Sequence, residues 1–322
     1  MSSTSNFRVR VASKSLAAQD ICTFELVPDD ENSLPAFTAG SHIDVQLPGG
    51  ITRQYSLCND PRESHRYLIG VLRDPASRGG SQAMHAQIQE GDALTISAPK
   101  NHFSLAEQAQ RSLLLAGGIG VTPLLCMAEH LAHMGAAFEM HYCNRSKSRA
   151  AFVNRIESSA FAKDVHFHFD DGAESQKIDL ESLLSTPQAG THLYVCGPKG
   201  FMDVVLSTAR SAHWPEPQIH YEFFGAEVQT TDADATFEVQ LASSGQVVVV
   251  AKDQTVIQAL SAAGVDVLTS CEQGVCGTCL TRVLSGTPDH RDQYLTPEER
   301  SANDQYLPCC SRAKSPRLVI DL

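Results

Sequence analysis

The sequence predicts a multidomain chain: an antiparallel β-barrel, then an α/β domain with a parallel sheet, then a smaller domain wrapped around a cysteine loop. Three observations predict it. Residues 6 to about 104 form short stretches of alternating apolar and polar residues broken by turns, the period of half-buried strands. From about 105 to 225 the period changes, and apolar strands alternate with amphipathic helices, the pattern of a parallel sheet with crossover helices. Beyond that, SCEQGVCGTCLT carries Cys271, Cys276 and Cys279 as C-x4-C-x2-C.

A length of 322 residues suits two or three domains. A hydrophobic share of 42% and a charged share of 19% are those of a soluble globular protein. The formal charge of −12 excludes nucleic acid as an expected partner, since that role wants a basic face. An acidic surface suits docking to a basic protein. The start, MSSTSNFRVRVASKSLAAQD, has no apolar core of signal-peptide length, and no run is long enough to span a bilayer. The expectation is a cytoplasmic protein with no membrane association. Of the ten cysteines, Cys22, Cys58, Cys126 and Cys143 read as small buried apolar residues.

In the first module, FRVRVASKSLAAQDICTFELVP reads as a hairpin, and FTAGSHIDVQLPGGITRQYSLCN continues it through a turn at Pro48-Gly49-Gly50. RYLIGVLRDP and DALTISAPKNHF add strands, which together predict a small barrel. Two pieces there suit a flat, charged ligand. Arg53-Gln54-Tyr55-Ser56 places an arginine and an aromatic ring on one strand face and a hydroxyl on the other. Ser77-Arg78-Gly79-Gly80-Ser81 opens a helix expected from Gln82, where free amides and the helix dipole favour phosphate.

In the second module, RSLLLAGGIGVTPLLCMAEHLAHMG is strand, glycine turn and helix. AFEMHYCNRS is the next strand, AAFVNRIESSA a helix, DVHFHFDD a strand, THLYVCGPKGFMDVVLSTARSAHW strand, turn and helix, and QIHYEFFG the closing strand. Gly117, Gly118, Gly120, Thr122 and Pro123 lie in GGIGVTP, which differs from the G-x-G-x-x-G fingerprint but allows the same approach of a pyrophosphate to backbone amides. Cys196-Gly197-Pro198 forms the matching turn after a later strand. His166 and His168 share a strand face and read as a structural pair. GAEVQTTDADAT, polar and without periodicity, reads as a linker.

In the third module, a fourth cysteine follows Cys279 after the plant-type interval, in YLPCCSR. Three thiolates from one tight loop and a fourth from a remote segment are what a [2Fe–2S] cluster requires. Zinc loops instead favour paired C-x2-C knuckles, and only one such pair occurs. Cys309 and Cys310 are adjacent, and from an extended segment only one can face the cluster.

The arginine-tyrosine-serine strand and GGS turn resemble the flavin domain of the ferredoxin-reductase superfamily, in its FMN-using branch. GGIGVTP with VCGP resembles the NAD(P)H domain of that superfamily. FEVQLASSGQVVVVAKDQTVIQAL through the cysteine loop to RLVIDL resembles a plant-type β-grasp ferredoxin. In the order flavin, nicotinamide, ferredoxin, the modules resemble the phthalate dioxygenase reductase family over nearly the whole chain. The resemblance implies an FMN-binding barrel at 1–104, an NAD-binding domain at 105–225, a linker at 226–236 and a [2Fe–2S] domain at 237–322.

It also implies the site residues. Arg53, Gln54, Tyr55, Ser56, Val71, Gly79, Gly80 and Ser81 serve FMN. The GGIGVTP residues, Cys196, Gly197 and Pro198 frame NADH, with Thr122 and Cys196 beside the nicotinamide. Arg145 either meets the adenosine half or is a solvated loop residue. Phe223 or Phe224, with Phe224 the expected one, covers the flavin or is core. Cys271, Cys276, Cys279 and Cys309 ligate the cluster. No side chain need act as acid or base. The implied function is an NADH-dependent oxidoreductase, the reductase component of a two-component Rieske oxygenase that handles an aromatic acid, a vanillate-type ether or a quaternary amine. The alternatives are a stand-alone NADH:acceptor reductase and a redox-sensing iron–sulfur flavoprotein.

Overall fold

The structure is a computed structural model and describes residues 6–30, 33–75, 79–224, 234–269 and 272–322. It divides into two compact units, 1–224 and 225–322. The first unit opens with β1 (Asn6–Ala18), β2 (Ile21–Pro28), β3 (Ser41–Leu47), β4 (Ile51–Ser56), β5 (Tyr67–Leu72), β6 (Ala93–Ser97) and β7 (Lys100–Asn101), with α1 (Gly80–Ala86) between β5 and β6. The strands are antiparallel in the order β4-β3-β6-β1-β2-β5, and β7 lies beside β3. A bridge from Leu57 to Ile69 joins the two ends of that order and closes the barrel, which removes exposed edges. Alternation decides the inside: Ile43, Val45 and Leu47 are buried on β3 while Asp44 and Gln46 between them are not. The turn at Pro48 uses Gly49 and Gly50 with φ of 83° and 76°, a region other residues avoid.

The sheet that follows is built from β8 (Arg111–Gly117), α2 (Val121–Met134), β9 (Ala137–Asn144), α3 (Val153–Glu157), β10 (Val165–Phe169), α4 (Leu180–Leu184), β11 (Thr191–Cys196), α5 (Lys199–Ser211) and β12 (Ile219–Glu222). All five strands are parallel, in the order β10-β9-β8-β11-β12. The chain leaves β8 for β9 on one side and later returns to β11 on the other. That reversal is the topological switch point at which open α/β sheets bind ligands, outside the carboxyl ends of the strands. The helix expected over AAFVNRIESSA shrinks to the five residues of α3. The unanticipated α4 starts where the Asp179 side chain accepts the Ser182 amide at 3.0 Å.

Leu114, Ala116, Met140, Tyr142 and Tyr194 on one sheet face join the barrel residues in a single buried cluster. Leu113, Leu115, Leu193 and Val195 on the other face pack with α5 and Trp214.

The second unit contains β13 (Phe237–Leu241), β14 (Val247–Val250), α6 (Val256–Ala262), β15 (Thr281–Ser285), β16 (Pro288–Asp289), α7 (Pro297–Ala302), β17 (Gln305–Tyr306), β18 (Arg312–Ala313) and β19 (Arg317–Ile320). Its sheet runs β14-β13-β19-β15-β17, with β13 and β19 parallel and the other pairs antiparallel; β16 and β18 form a separate pair. A capping box between Thr255 and Gln258 starts α6. Arg312 is a buried strut: its guanidinium donates to the carbonyls of Gln254, Ala251 and Ala235 at 2.8, 3.0 and 3.1 Å and lies over the Phe237 ring. Of the expected linker, residues 226–233 lie outside the described residues. Among those described, no helix is long and apolar enough to cross a membrane.

Lys14 holds the end of α1. Its ammonium donates to the carbonyls of His85 and Ile88 at 2.7 Å each and satisfies acceptors that a helix end leaves open. Lys14→Met keeps the alkyl stem and removes the charge. It is expected to destabilise this unit by about 1–3 kcal/mol, read in urea by the fluorescence of Trp214, the chain's only tryptophan, buried in the same unit. An unchanged midpoint would refute the strut.

Candidate functional site

The loops after β8 and β11 touch backbone to backbone. A Cβ on Gly120 would sit 2.3 Å from the Cys196 carbonyl oxygen, and one on Gly197 would sit 2.9 Å from Gly117 Cα. Gly118 differs: its φ is 52°, and nothing lies within 4 Å of where a Cβ would stand, so it presents open backbone. Thr122 and Pro123 open α2 and are buried; the Thr122 hydroxyl donates to the Ile119 carbonyl at 3.1 Å and ties the loop to the helix. Pro198 is exposed at the start of α5, and Arg145 is exposed just past β9.

On the barrel side, the structure brings Arg53 to the GGS turn. A Cβ on Gly80 would lie 2.5 Å from Arg53 Cγ. Gly79 has φ of 87°, and Ser81 Oγ accepts the Asp74 amide at 3.1 Å. Ser77 and Arg78 of that turn lie outside the described residues. Tyr55 shares the Arg53 face; burial raises its hydroxyl above the ordinary range, against the pull of Arg53. Gln54 turns the other way and donates to Asp44, which also takes Lys100. Val71 is a core residue, so only its backbone is available, and its carbonyl already meets His85 Nε2 at 2.9 Å.

Ser56 ends β4 and donates its hydroxyl to Glu222 Oε2 at 3.4 Å, across 166 positions of sequence. Glu222 ends β12 in register with Cys196 at the end of β11. Burial pushes the Glu222 carboxyl up to about 8, while the Ser56 bond pulls the other way. Burial, with Glu222 beside it, holds the Cys196 thiol well above its usual value. His42 is paired with Ser56 across β3 and β4, is buried, and among the described residues has no partner for Nε2. Burial lowers its imidazole to about 4, so the ring is neutral. Glu222 and His42 were missed in the sequence, because neither belongs to a local motif.

The two phenylalanines separate. Phe223 packs into the cluster under α5, whereas Phe224 is exposed. An open backbone at Gly118 and an arginine folded onto a glycine turn each suit a phosphorylated ligand, whereas His42 lies on the Gln54 face of the strand pair, opposite Arg53.

His166 and His168 do not bond to each other. His168 pairs with His141 at 2.9 Å, and His166 meets Glu139 at 3.2 Å.

In the second unit, Cys276, Cys279 and Cys309 are all buried. Cys279 and Cys309 share a hydrogen bond, and Cys276 lies close enough to act on Cys279 by charge. That hydrogen bond, then burial, then the neighbouring thiols raise the Cys279 thiol above its usual value. Thiols this close together suit a shared metal centre, which binds them as thiolates. The Gly274 amide donates to Cys309, and a Cβ on Gly277 would strike the Tyr294 ring at 2.3 Å, so glycine at 277 lets the loop pass under Tyr294. The donor set fits an iron–sulfur cluster. Cys271 lies outside the described residues, and among those described no three donors already surround a metal position.

One expectation needs correction. Cys309 and Cys310 do not lie in an extended segment. The amides of Cys310 and Ser311 both donate to the Leu307 carbonyl, at 3.3 and 2.9 Å, which makes a turn. Both thiols are buried and hydrogen-bonded to each other, so strand alternation does not choose between them; the Gly274 amide bond favours Cys309.

Two tests follow from this geometry. Folded Glu222 keeps its proton to about pH 8, whereas the unfolded group loses it near 4.5. Its folded value is raised, so stability falls as pH rises through that window. In Glu222→Gln the fall in the urea midpoint from about pH 5 to pH 8 should be shallower than in the wild type; equal slopes would refute the buried acid. For the cysteine pair, Cys309→Ser is expected to lose iron, sulfide and the reduced-state EPR signal while Cys310→Ser keeps them. The reverse pattern would reassign the ligand.

Residues 239–314 match the family described as a 2Fe-2S iron-sulfur cluster binding domain. Residues 96–219 match the N-terminal domain of the dimethylamine monooxygenase subunit DmmA-like family. The chain is 56% identical to the vanillate O-demethylase oxidoreductase of Pseudomonas putida, over 97% of this chain and 98% of that one. It is 42% identical to the tetrachlorobenzoquinone reductase of Sphingobium chlorophenolicum, over 95% and 94%. The solved structure of phthalate dioxygenase reductase, described as modular for electron transfer from pyridine nucleotides to [2Fe–2S], is 39% identical and has a TM-score of 0.80 over 98% of both chains. Barrel, parallel sheet and iron–sulfur module thus occur here in the same order and over the same length as in that enzyme, and the chain belongs to the phthalate dioxygenase reductase family.

Proposed function

We propose that this chain is the NADH-dependent reductase component of a two-component Rieske oxygenase acting on a vanillate-type aromatic methyl ether. The observation that carries this reading is its near full-length identity to a vanillate O-demethylase oxidoreductase. The bound groups supply the redox chemistry: FMN takes two electrons as hydride from NADH and passes them singly to a [2Fe–2S] cluster.

The protein binds, orients and shields. Arg53 and the turn at Gly79, Gly80 and Ser81 hold the FMN phosphate and ring from the barrel at 1–104, with Tyr55 and Ser56 on the same strand. The backbone at Gly117, Gly118 and Gly120, with Thr122 and Pro123, receives the NADH pyrophosphate in the domain at 105–225. Cys196, Gly197 and Pro198 shape the nicotinamide end, and Arg145 serves the adenosine end. Phe224 shields the flavin face. Glu222, protonated at neutral pH, accepts the Ser56 hydroxyl and ties the barrel strand to the end of β12. After a linker at 226–236, the domain at 237–322 holds the cluster through Cys271, Cys276, Cys279 and Cys309. The acidic surface docks the oxygenase, and the work is done in the cytoplasm.

The identity to a benzoquinone reductase favours one second reading, in which the chain reduces a small acceptor directly. Acceptor kinetics separate the two. Under the first reading, stopped-flow spectra with NADH should show flavin bleaching before cluster bleaching, and a Rieske partner should reoxidise the cluster far faster than quinone or cytochrome c does. If quinone competes equally, or the cluster is reduced before the flavin, the proposed order of carriers fails.

A further inference from the structure

Residues 290–296 form a strap over the cysteine loop. The Gln293 amide donates to the Gly274 carbonyl at 2.8 Å. A Cβ on Gly274 would lie 3.0 Å from Asp292 Cα, and the Tyr294 ring covers Gly277. Within the strap, the Asp292 side chain is 0% exposed. Its Oδ2 accepts the amides of Leu295 and Tyr294 at 2.8 and 3.2 Å. Its Oδ1 accepts the hydroxyl of Ser311 at 3.5 Å, the residue that closes the turn carrying Cys309 and Cys310. Arg300 stands 3.6 Å from Oδ2 and donates to the Asp292 carbonyl; His290 Nδ1 stands 3.7 Å from Oδ1. The strap therefore links the loop of Cys276 and Cys279, through the Gln293 amide, to the turn of Cys309, through the buried Asp292 side chain.

A neutral asparagine could accept the two amides through its oxygen and donate its Nδ2 to the Ser311 hydroxyl, which is able to reverse its role. Burying a carboxylate is costly, so its charge needs a use. We propose that Asp292 is a positioning residue for the cluster: it fixes the two ligand segments against each other and, as a buried negative charge beside them, opposes the electron that the cluster takes up. Reduction adds one electron and no proton, so a nearby fixed anion lowers the tendency to accept it. Arg300 moderates the same field from the other side.

The proposal rests on the cluster reading above. Iron and sulfide analysis of the wild-type protein tests that reading separately. The proposal itself is tested by the cluster midpoint potential, from EPR-monitored redox titration of the full-length protein. Asp292→Asn should keep wild-type iron and sulfide and shift the reduction equilibrium about tenfold toward the reduced form, ~59 mV for a one-electron couple. Glu298→Gln, which removes an exposed acid in α7, should move it less than about twofold, because water screens that charge. Arg300→Gln should shift it in the opposite direction to Asp292→Asn, which keeps the test decisive if Asp292→Asn fails to hold its cluster. A wild-type potential in either the Asp292 or the Arg300 variant overturns the proposal.

Discussion

The first unit depends on the backbone contact between residues 117–120 and residues 196–198. Any side chain at Gly120 would collide with the Cys196 carbonyl, and carbonyls in a sheet terminus cannot retreat as a flexible side chain can. The contact sets the spacing of β8 and β11 at their carboxyl ends, where the chain reverses direction across the sheet. Everything proposed for the nicotinamide follows from that spacing: open backbone at Gly118, the start of α2 behind it, and Cys196 facing Glu222 on the next strand.

Because barrel and sheet share one buried cluster, the end of the barrel strand at Ser56 comes within a hydrogen bond of Glu222, a residue distant in sequence. The cost is a carboxyl in a poorly solvated place. The protein meets it by keeping the group protonated rather than by supplying a cation.

The second unit handles buried charge differently. Asp292 gathers backbone amides, a hydroxyl and a nearby guanidinium, and Arg312 gathers three carbonyls. Both are polar struts in a small domain whose apolar core is limited. The loop and turn that carry the thiols lie over the strut formed by Asp292, so the sulfurs are positioned by hydrogen bonds as much as by apolar packing.

The sequence by itself determined the modules, because each has its own period or motif: alternation for the barrel, strand-helix alternation for the sheet, and cysteine spacing for the last domain. It also marked the glycine turns, since tight backbone approach leaves few other residues. What it could not determine was anything set by partners remote in the chain. Glu222 looked like any residue at the end of a strand until Ser56 met it. The Asp44 partner of Gln54 and the core position of the Val71 side chain were also invisible in the sequence. Alternation misread the Cys309 segment because two amides share the Leu307 carbonyl and bend it into a turn. The choice between Phe223 and Phe224 was likewise left to tertiary packing, because neighbouring aromatic residues are equivalent until α5 covers one of them.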